Sequence, residues 1–385
     1  MKRFNKNIIV FAICILFIIG GYNVKTVRKV ISETKGLLAS GKSVSDYTDR
    51  VDMILSERMN YHDFLMDINS VKENIQGTRI INKEDTCIVK SDSGKLVSPC
   101  LHMPSKSAVQ DEIGSEVAAY YRIAEKNNAG FLSVVVPPKA MYESMPKNVT
   151  DYSREKYQLQ LQVLEEMNIP TLRLNESLEQ NSVEIEKLFF STDHHWTPNI
   201  GFLTSNYICE DLQSRYGFSY NETYTDIKNY DVQKYRNWFL GSYGKKVGTF
   251  FSWNGADDFD LIVPKFETSF SEEKPFKDEI RKGEFRDTLL FMENLKKDYY
   301  KVNTYATYSG GDFRLQIMRN QLNPQGSKIV LIRDSYACVV APFLALQASE
   351  LHIIDVREGE DYVGDIVDVE GYVRRIKADY VVVIY

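Results

Sequence analysis

Short apolar, β-branched runs alternate with stretches of helical spacing along most of the chain. "VQDEIGSEVAAYYRIAEKN" (109–127) carries apolar residues at helix period and leads into "FLSVVVPPK" (131–139), a run closed by Pro137 and Pro138 that reads as a buried strand. A second helical pattern, "REKYQLQLQVLEEMN" (154–168), precedes "PTLRLN", and "VEIEKLFF" (183–190) reads as a strand running into "STDHHWTP". Pro198 sits where a first helical turn tolerates it, and the helix it opens ends before Gly217. The rhythm returns in "SKIVLIRDSYACVVAPFLALQ" (327–347), "ELHIIDVR" (350–357) and "DYVVVIY" (379–385). Such alternation predicts an α/β fold, a doubly wound and mainly parallel sheet covered on both faces. Ligands bind such sheets outside the carboxyl ends of the strands, where both "STDHHW" and "RDSY" fall.

Three segments depart from this rhythm. Lys2, Arg3 and Lys6 precede the uncharged run Ile8 to Val24, which predicts an exported protein with a signal-anchor or transmembrane segment over residues 1–24. With no A-x-A-like site after Gly21, the segment reads as retained rather than cleaved. Residues 25–75 are polar and helix-like, a stalk or packing segment ahead of one α/β domain at 76–385. From about 218 to 301 the pattern breaks into an aromatic and then charged stretch, expected to be an insertion that packs beside the sheet. Repeats are absent.

Composition narrows the function classes. A chain of 385 residues, 43% hydrophobic, buries a substantial core, and a net charge of −6 with mixed signs marks no nucleic-acid surface. Export permits a disulfide, and the turn at Asp92-Ser93-Gly94 between Cys87 and Cys100 suggests a hairpin that brings the two thiols together. Cys209 and Cys338 read as small core residues. With no C-x-x-C, neither a thiolate zinc site nor a redox pair is indicated.

Candidate chemistry lies in two loops. "KIVLIRDSYACVVAPFLA" is a strand, a sharp turn holding Arg333-Asp334-Ser335, and a helix. That geometry lifts a serine oxygen to the sheet edge beside amides able to stabilise an oxyanion, although a serine here also fits a plain helix cap. In the D-x-H of "STDHHW", Asp193 can hold His195 in the tautomer a general base needs, while His194 is expected to point elsewhere. Adjacent histidines on extended backbone face opposite sides and chelate poorly, and no third ligand cluster is apparent, so no metal or other cofactor is expected.

The pair "STDHHWTP" and "IRDSYACVVAPFLA", with "IIDVR" and the terminal "DYVVVIY", resembles the DHHW family of bacterial exported proteins. That family is in turn similar to the SGNH-hydrolase-like proteins of alginate O-acetylation. The resemblance covers roughly residues 75–385. It implies an SGNH-like fold whose active-site order is circularly permuted, since ordinary SGNH esterases carry the serine block first. It implies Ser335 as nucleophile, His195 as general base and Asp193 as its orienting partner. Gly310, Gly311, Asp312 and Arg333 are the oxyanion or substrate candidates, Arg333 standing where ordinary SGNH enzymes have glycine. The asparagine of their third block has no counterpart here.

By the same resemblance the protein is an acyl, chiefly acetyl, transferase or esterase on a cell-surface polysaccharide, at the extracytoplasmic face of the membrane, with an integral-membrane acyltransferase as partner. Two rivals stay open: a non-catalytic glycan-binding or scaffolding protein of an O-acetylation complex, and a metal-dependent phosphoesterase using Asp193, His194 and His195. Among lesser features, Trp238 and Trp253 offer stacking faces but fit a core, "GSYGKKVG" (241–248) reads as a loop near the site, and Lys139 sits at a strand end facing the ligand crevice or solvent.

Overall fold

The computed structural model describes residues 62–83, 86–357 and 364–385. The expected membrane segment at 1–24 and most of the stalk lie outside them. No helix among the described residues is long and apolar enough to cross a membrane. The chain divides into two compact units, Met1–Lys72 and Glu73–Tyr385. Helix α1 comprises His62–Ile75.

The main sheet has eight strands. Five are parallel: β4 (Gly130–Val134), β5 (Thr171–Leu172), β11 (Lys328–Ile332), β12 (Glu350–Ile354) and β13 (Tyr380–Ile384), in the order β5-β4-β13-β11-β12. Their apolar runs are continuous because both faces are covered. In β11, Ile329 and Leu331 join one core while Val330 and Ile332 join the other, the period of two that a strand imposes. The first core is closed by α5 (Pro198–Tyr216), through Phe202, Ile208 and Leu212, and by α7 (Ala341–Gln347), through Phe343 and Leu344. The second is closed by α2 (Ser115–Lys126), α3 (Ser153–Glu166) and α8 (Val369–Ile376), through residues such as Val117, Leu164 and Val373. Helix α4 (Leu174–Gln180) adds Leu174 and Leu178 to the first core.

The sheet is mixed rather than mainly parallel. Beyond β12 it continues antiparallel through β10 (Leu315–Asn320), β8 (Phe270–Lys274) and β9 (Glu279–Gly283). So the segment 218–301 does not simply pack beside the sheet, because its second half supplies two of the sheet's strands. Polar side chains disguise them: buried Gln316 donates to buried Glu272 at 2.9 Å, and half-buried Arg319 pairs with half-buried Glu273 at 2.7 Å. Charged β9 forms the sheet edge, which discourages edge-to-edge pairing. The first half of the segment forms a separate antiparallel ribbon, β6 (Tyr230–Phe239) with β7 (Asp257–Pro264), joined through α6 (Ser242–Val247). "GSYGKKVG" is therefore chiefly a short helix, not a loop.

A three-stranded sheet, β1 (Ile80–Lys83), β2 (Thr86–Lys90) and β3 (Leu96–Val97), holds the expected hairpin. Cys87 and Cys100 are nonetheless free thiols. Strand β3 ends at Val97, and Cys100 lies beyond it, its N–H donating to Asp151 Oδ1 at 2.8 Å and its carbonyl accepting from the Tyr152 N–H at 2.8 Å. Cys209 and Cys338 are both buried.

Candidate active site

The carboxyl end of β11 delivers the serine turn. After β11 the chain turns sharply: Asp334 accepts the Tyr336 N–H at 2.8 Å as an N-cap, and Ser335 begins a 3₁₀ turn running to Val339. Ser335 is half-buried. Its own N–H meets no acceptor among the described residues, as expected of the first residue of a helical turn.

The histidine loop is not preceded by a strand. "VEIEKLFF" forms a 3₁₀ turn, and Phe189 then pairs antiparallel with Trp196 in an isolated bridge that folds residues 190–195 back on themselves. Trp196 is buried, and its Nε1–H donates to Tyr336 O at 3.0 Å, fastening this loop to the serine turn. One turn into α5, a Cβ on Gly201 would meet Val339 O at 2.6 Å, so the helix backbone lies directly against the serine turn.

These constraints bring Ser335, His195 and Asp193 into one hydrogen-bonded chain. His195 Nε2 lies 2.7 Å from Ser335 Oγ, and His195 Nδ1 lies 2.6 Å from Asp193 Oδ1. Asp193 also accepts the His195 N–H at 2.9 Å on Oδ1 and the Ser242 N–H at 2.6 Å on Oδ2. Burial would raise the Asp193 carboxyl, but His195, by its charge when protonated and by its ring and backbone hydrogen bonds, outweighs it, with the charge of a protonated His194 adding, and Asp193 is held well below the usual carboxylate range. An ionised Asp193 only accepts, so the neutral tautomer that fits this chain has its proton on Nδ1 and a bare Nε2 toward the hydroxyl.

His194 does not point elsewhere. Residues 191–195 are a run of bends rather than extended backbone, so both rings face the same way, 3.8 Å apart. His194 Nδ1 lies 3.0 Å from Ser242 Oγ and 3.2 Å from Asp193 Oδ1. Burial pushes His194 down to about 4, against the pull of Asp193. On its other face the His195 ring stacks on Tyr305, 4.3 Å away at 19°, and Tyr336 meets it edge-on at 5.1 Å. The imidazole is thus caged by three rings.

Donor atoms of Asp193, His194 and His195 lie within 4.8 Å of one another, a set able in principle to hold a cation. The hydrogen bonds compete with that role. Both carboxylate oxygens already accept N–H groups, and His195 Nδ1 is turned to Asp193.

A second shell of polar contacts fixes the loop. Asp257 accepts from Ser191 N at 2.5 Å and Thr192 N at 2.8 Å, and burial raises its carboxyl. Lys139 is neither solvated nor facing a crevice. It is 5% exposed and its Nζ donates to the carbonyls of Leu96, Ser191 and Asp193 at 2.6, 2.9 and 2.9 Å. Burial pushes its ammonium down to about 7, against Asp257, Asp193 and Glu143.

The remaining candidates lie behind the serine turn. Arg333 is buried, pairs with Asp312, and donates to Gly311 O at 3.4 Å. Gly310 packs against Phe291. Among the described residues, none of these four hydrogen-bonds Ser335. Their contacts brace the turn, and the open amide is that of Ser335 itself. Trp238 packs on Tyr235, whereas Trp253 is 57% exposed on a turn whose Asn254 donates to Ser191 Oγ at 3.3 Å. Sequence reasoning placed Gly241 and Ser242 near the site without giving them a role, and missed Tyr305 and Asp257, which reach the loop only through the tertiary fold.

With this geometry in view, comparisons with known proteins are informative. The family model described as the SGNH hydrolase-like domain of acetyltransferase AlgX matches residues 104–224, which include Asp193 and His195 but not Ser335. No curated protein matches the chain. The solved structure of Bacillus cereus PatB1 with a sulfonyl adduct is similar at 20% identity and TM-score 0.62, covering 80% of this chain and 95% of that one. A DHHW family protein from Eubacterium siraeum is similar at 18% identity and TM-score 0.56, covering 79% of this chain and 91% of that one. The chain resembles the SGNH-hydrolase-like acetyltransferase domain and has an SGNH-like α/β fold built on a large mixed sheet, shared with PatB1 and the DHHW protein.

Proposed function

We propose that the protein is a serine-dependent acyl enzyme of the extracytoplasmic membrane face that transfers or removes acetyl groups on a cell-surface polysaccharide. One observation carries the reading: the Ser335 hydroxyl, the His195 imidazole and the Asp193 carboxylate are linked at 2.7 and 2.6 Å. The match to an acetyltransferase family model supports acetyl as the group moved. The apolar run with its basic lead supports the location, which is where an integral-membrane acyl donor would reach it.

In this mechanism His195 Nε2 takes the hydroxyl proton as Ser335 Oγ bonds to the acyl carbon, and the carbonyl electron pair moves onto its oxygen. The Ser335 N–H, which has no acceptor among the described residues, is the donor available to the charge that develops there. The oxyanion collapses, the leaving alkoxide departs with the proton from His195, and an acyl-serine remains. A sugar hydroxyl or water then gives its proton to His195 and attacks the same carbon, returning Ser335. Asp193 keeps Nδ1 protonated throughout and offsets the imidazolium charge.

Release of p-nitrophenol from its acetate ester tests the reading. Ser335→Ala and His195→Ala should each lower kcat/KM by roughly 10²–10⁴-fold without unfolding the domain. Full activity in either variant would refute it. The three clustered donors favour a metal-dependent phosphoesterase as the second reading, and for that enzyme a chelator, not the serine substitution, would remove activity.

A further inference from the structure

A cleft of about 380 Å³ opens beside the serine turn. It lies over the carboxyl end of β13, between the exits of β4 and β11, with Val136 and Pro138 on one side and Tyr336 on the other. Tyr336 follows Ser335 directly, and it is tightly held. Its N–H is taken by Asp334, its carbonyl by Trp196, and its hydroxyl donates to His194 O at 3.1 Å. Its ring therefore forms a fixed wall shared by the His195 imidazole and the cleft. Ser335 and His195 do not themselves line the cleft, which adjoins the nucleophile through this ring.

The chemistry of the walls selects the ligand. Among the described residues, no Asp or Glu side chain lines the cleft. Helix α3 contributes Lys156, whose Nζ lies 3.4 Å from Glu112, and Gln160, whose side-chain amide has no hydrogen-bond partner among the described residues. The same cleft is lined by the apolar rings of Pro99 and Pro138 and the aromatic ring of Tyr336. An amide and an ammonium together with apolar ring faces suit a ligand with hydroxyls along its edges and C–H groups on its faces. The volume falls within the usual range of about 300–1,000 Å³ for small-molecule sites.

We infer that this cleft seats one pyranose unit of the ester substrate or acceptor, holding it so that a hydroxyl or its acetate reaches Ser335. The inference rests on the acyl-transfer reading above and adds to it the place of the sugar and Gln160 as a specificity-determining contact. Steady-state hydrolysis by the full-length protein of two esters, p-nitrophenyl acetate and glucose pentaacetate, tests it.

Gln160→Trp fills the cleft from a half-exposed helix position. It should lower kcat/KM for the sugar ester at least about tenfold more than for the nitrophenyl ester, chiefly through KM. Gln160→Ala and Lys156→Ala should move the same ratio in the same direction by less, which covers the case in which the tryptophan variant does not fold. Equal losses on both esters, or no change in the ratio, overturn the assignment. Wild-type turnover of the nitrophenyl ester alone overturns the choice of a sugar, and turnover of neither ester overturns the acyl-transfer reading itself.

Discussion

The carboxylate of Asp193 is held by the backbone of Ser242: the Ser242 N–H reaches Asp193 Oδ2 at 2.6 Å while His195 occupies Oδ1. With donors on both oxygens, the carboxylate cannot turn away from the imidazole. Asp193→Asn keeps the shape but must direct an amide NH₂ at one of those N–H groups. Facing His195, it forces the proton onto Nε2, where it blocks acceptance from Ser335. Ester turnover should fall roughly 10³–10⁴-fold with the melting temperature little changed. A variant within tenfold of wild type would remove Asp193 from the mechanism.

The same contact depends on a missing side chain. A Cβ on Gly241 would sit 2.2 Å from Asp193 Cβ and 2.6 Å from its Cα, too close for any side-chain rotation to relieve. Gly241 N–H also donates to Thr192 Oγ1 at 2.8 Å, so the backbone cannot retreat without breaking the loop's support. Gly241→Ala should cost about 1–3 kcal/mol in urea denaturation and reduce ester turnover in the fraction that stays folded. Wild-type stability together with wild-type activity would show that this approach is looser than described.

What the chain pattern discloses follows from where burial is symmetric. "KIVLI" and "DYVVVIY" are legible as strands because both faces are dry. "LQIMRN" is not, because buried Gln316 and Asn320 and half-buried Arg319 interrupt the apolar run while finding partners in Glu272, Leu346 O and Glu273. The D-x-H spacing and the strand-turn-helix around Ser335 are local, and they point to the residues now found in contact. The orientation of His194 is not local, since it needs the bends closed by the Phe189–Trp196 bridge. Nor does any spacing announce Tyr305, whose ring reaches His195 from a 3₁₀ turn before β10.

Lys139 shows how a residue at a strand exit can fix a distant loop. Its three donors satisfy carbonyls from two segments, Leu96 on β3 and Ser191 and Asp193 on the histidine loop. Ser191 O keeps a second partner in the Leu96 N–H, so Lys139→Met strands chiefly the other two. At roughly 1–3 kcal/mol for each buried acceptor left unpaired, urea denaturation should show a loss of about 2–6 kcal/mol. Ester turnover should fall as well, because Asp193 O is one of the carbonyls released. A loss below 1 kcal/mol would mean that water replaces the ammonium.

Acid should weaken the domain through a histidine far from the serine. His352 on β12 is 2% exposed, with Nδ1 2.8 Å from the Tyr372 hydroxyl and Nε2 3.2 Å from Glu350. Burial pushes it down to about 4, with Arg319 and Lys328 adding and Glu350 opposing. Above about pH 6.5 the ring is neutral both folded and unfolded, so it gives no slope. Between about 6.5 and 4 the unfolded chain binds a proton that the folded chain refuses, and stability therefore falls as pH falls, by about 3 kcal/mol in all. Below about 4 the contribution is spent. His194 adds a slope of the same sign, so the comparison must isolate His352. Chemical denaturation of wild type and His352→Gln at pH 7, 5.5 and 4.5 does so: the two stability curves should converge as the pH drops, and parallel curves would assign the acid sensitivity elsewhere.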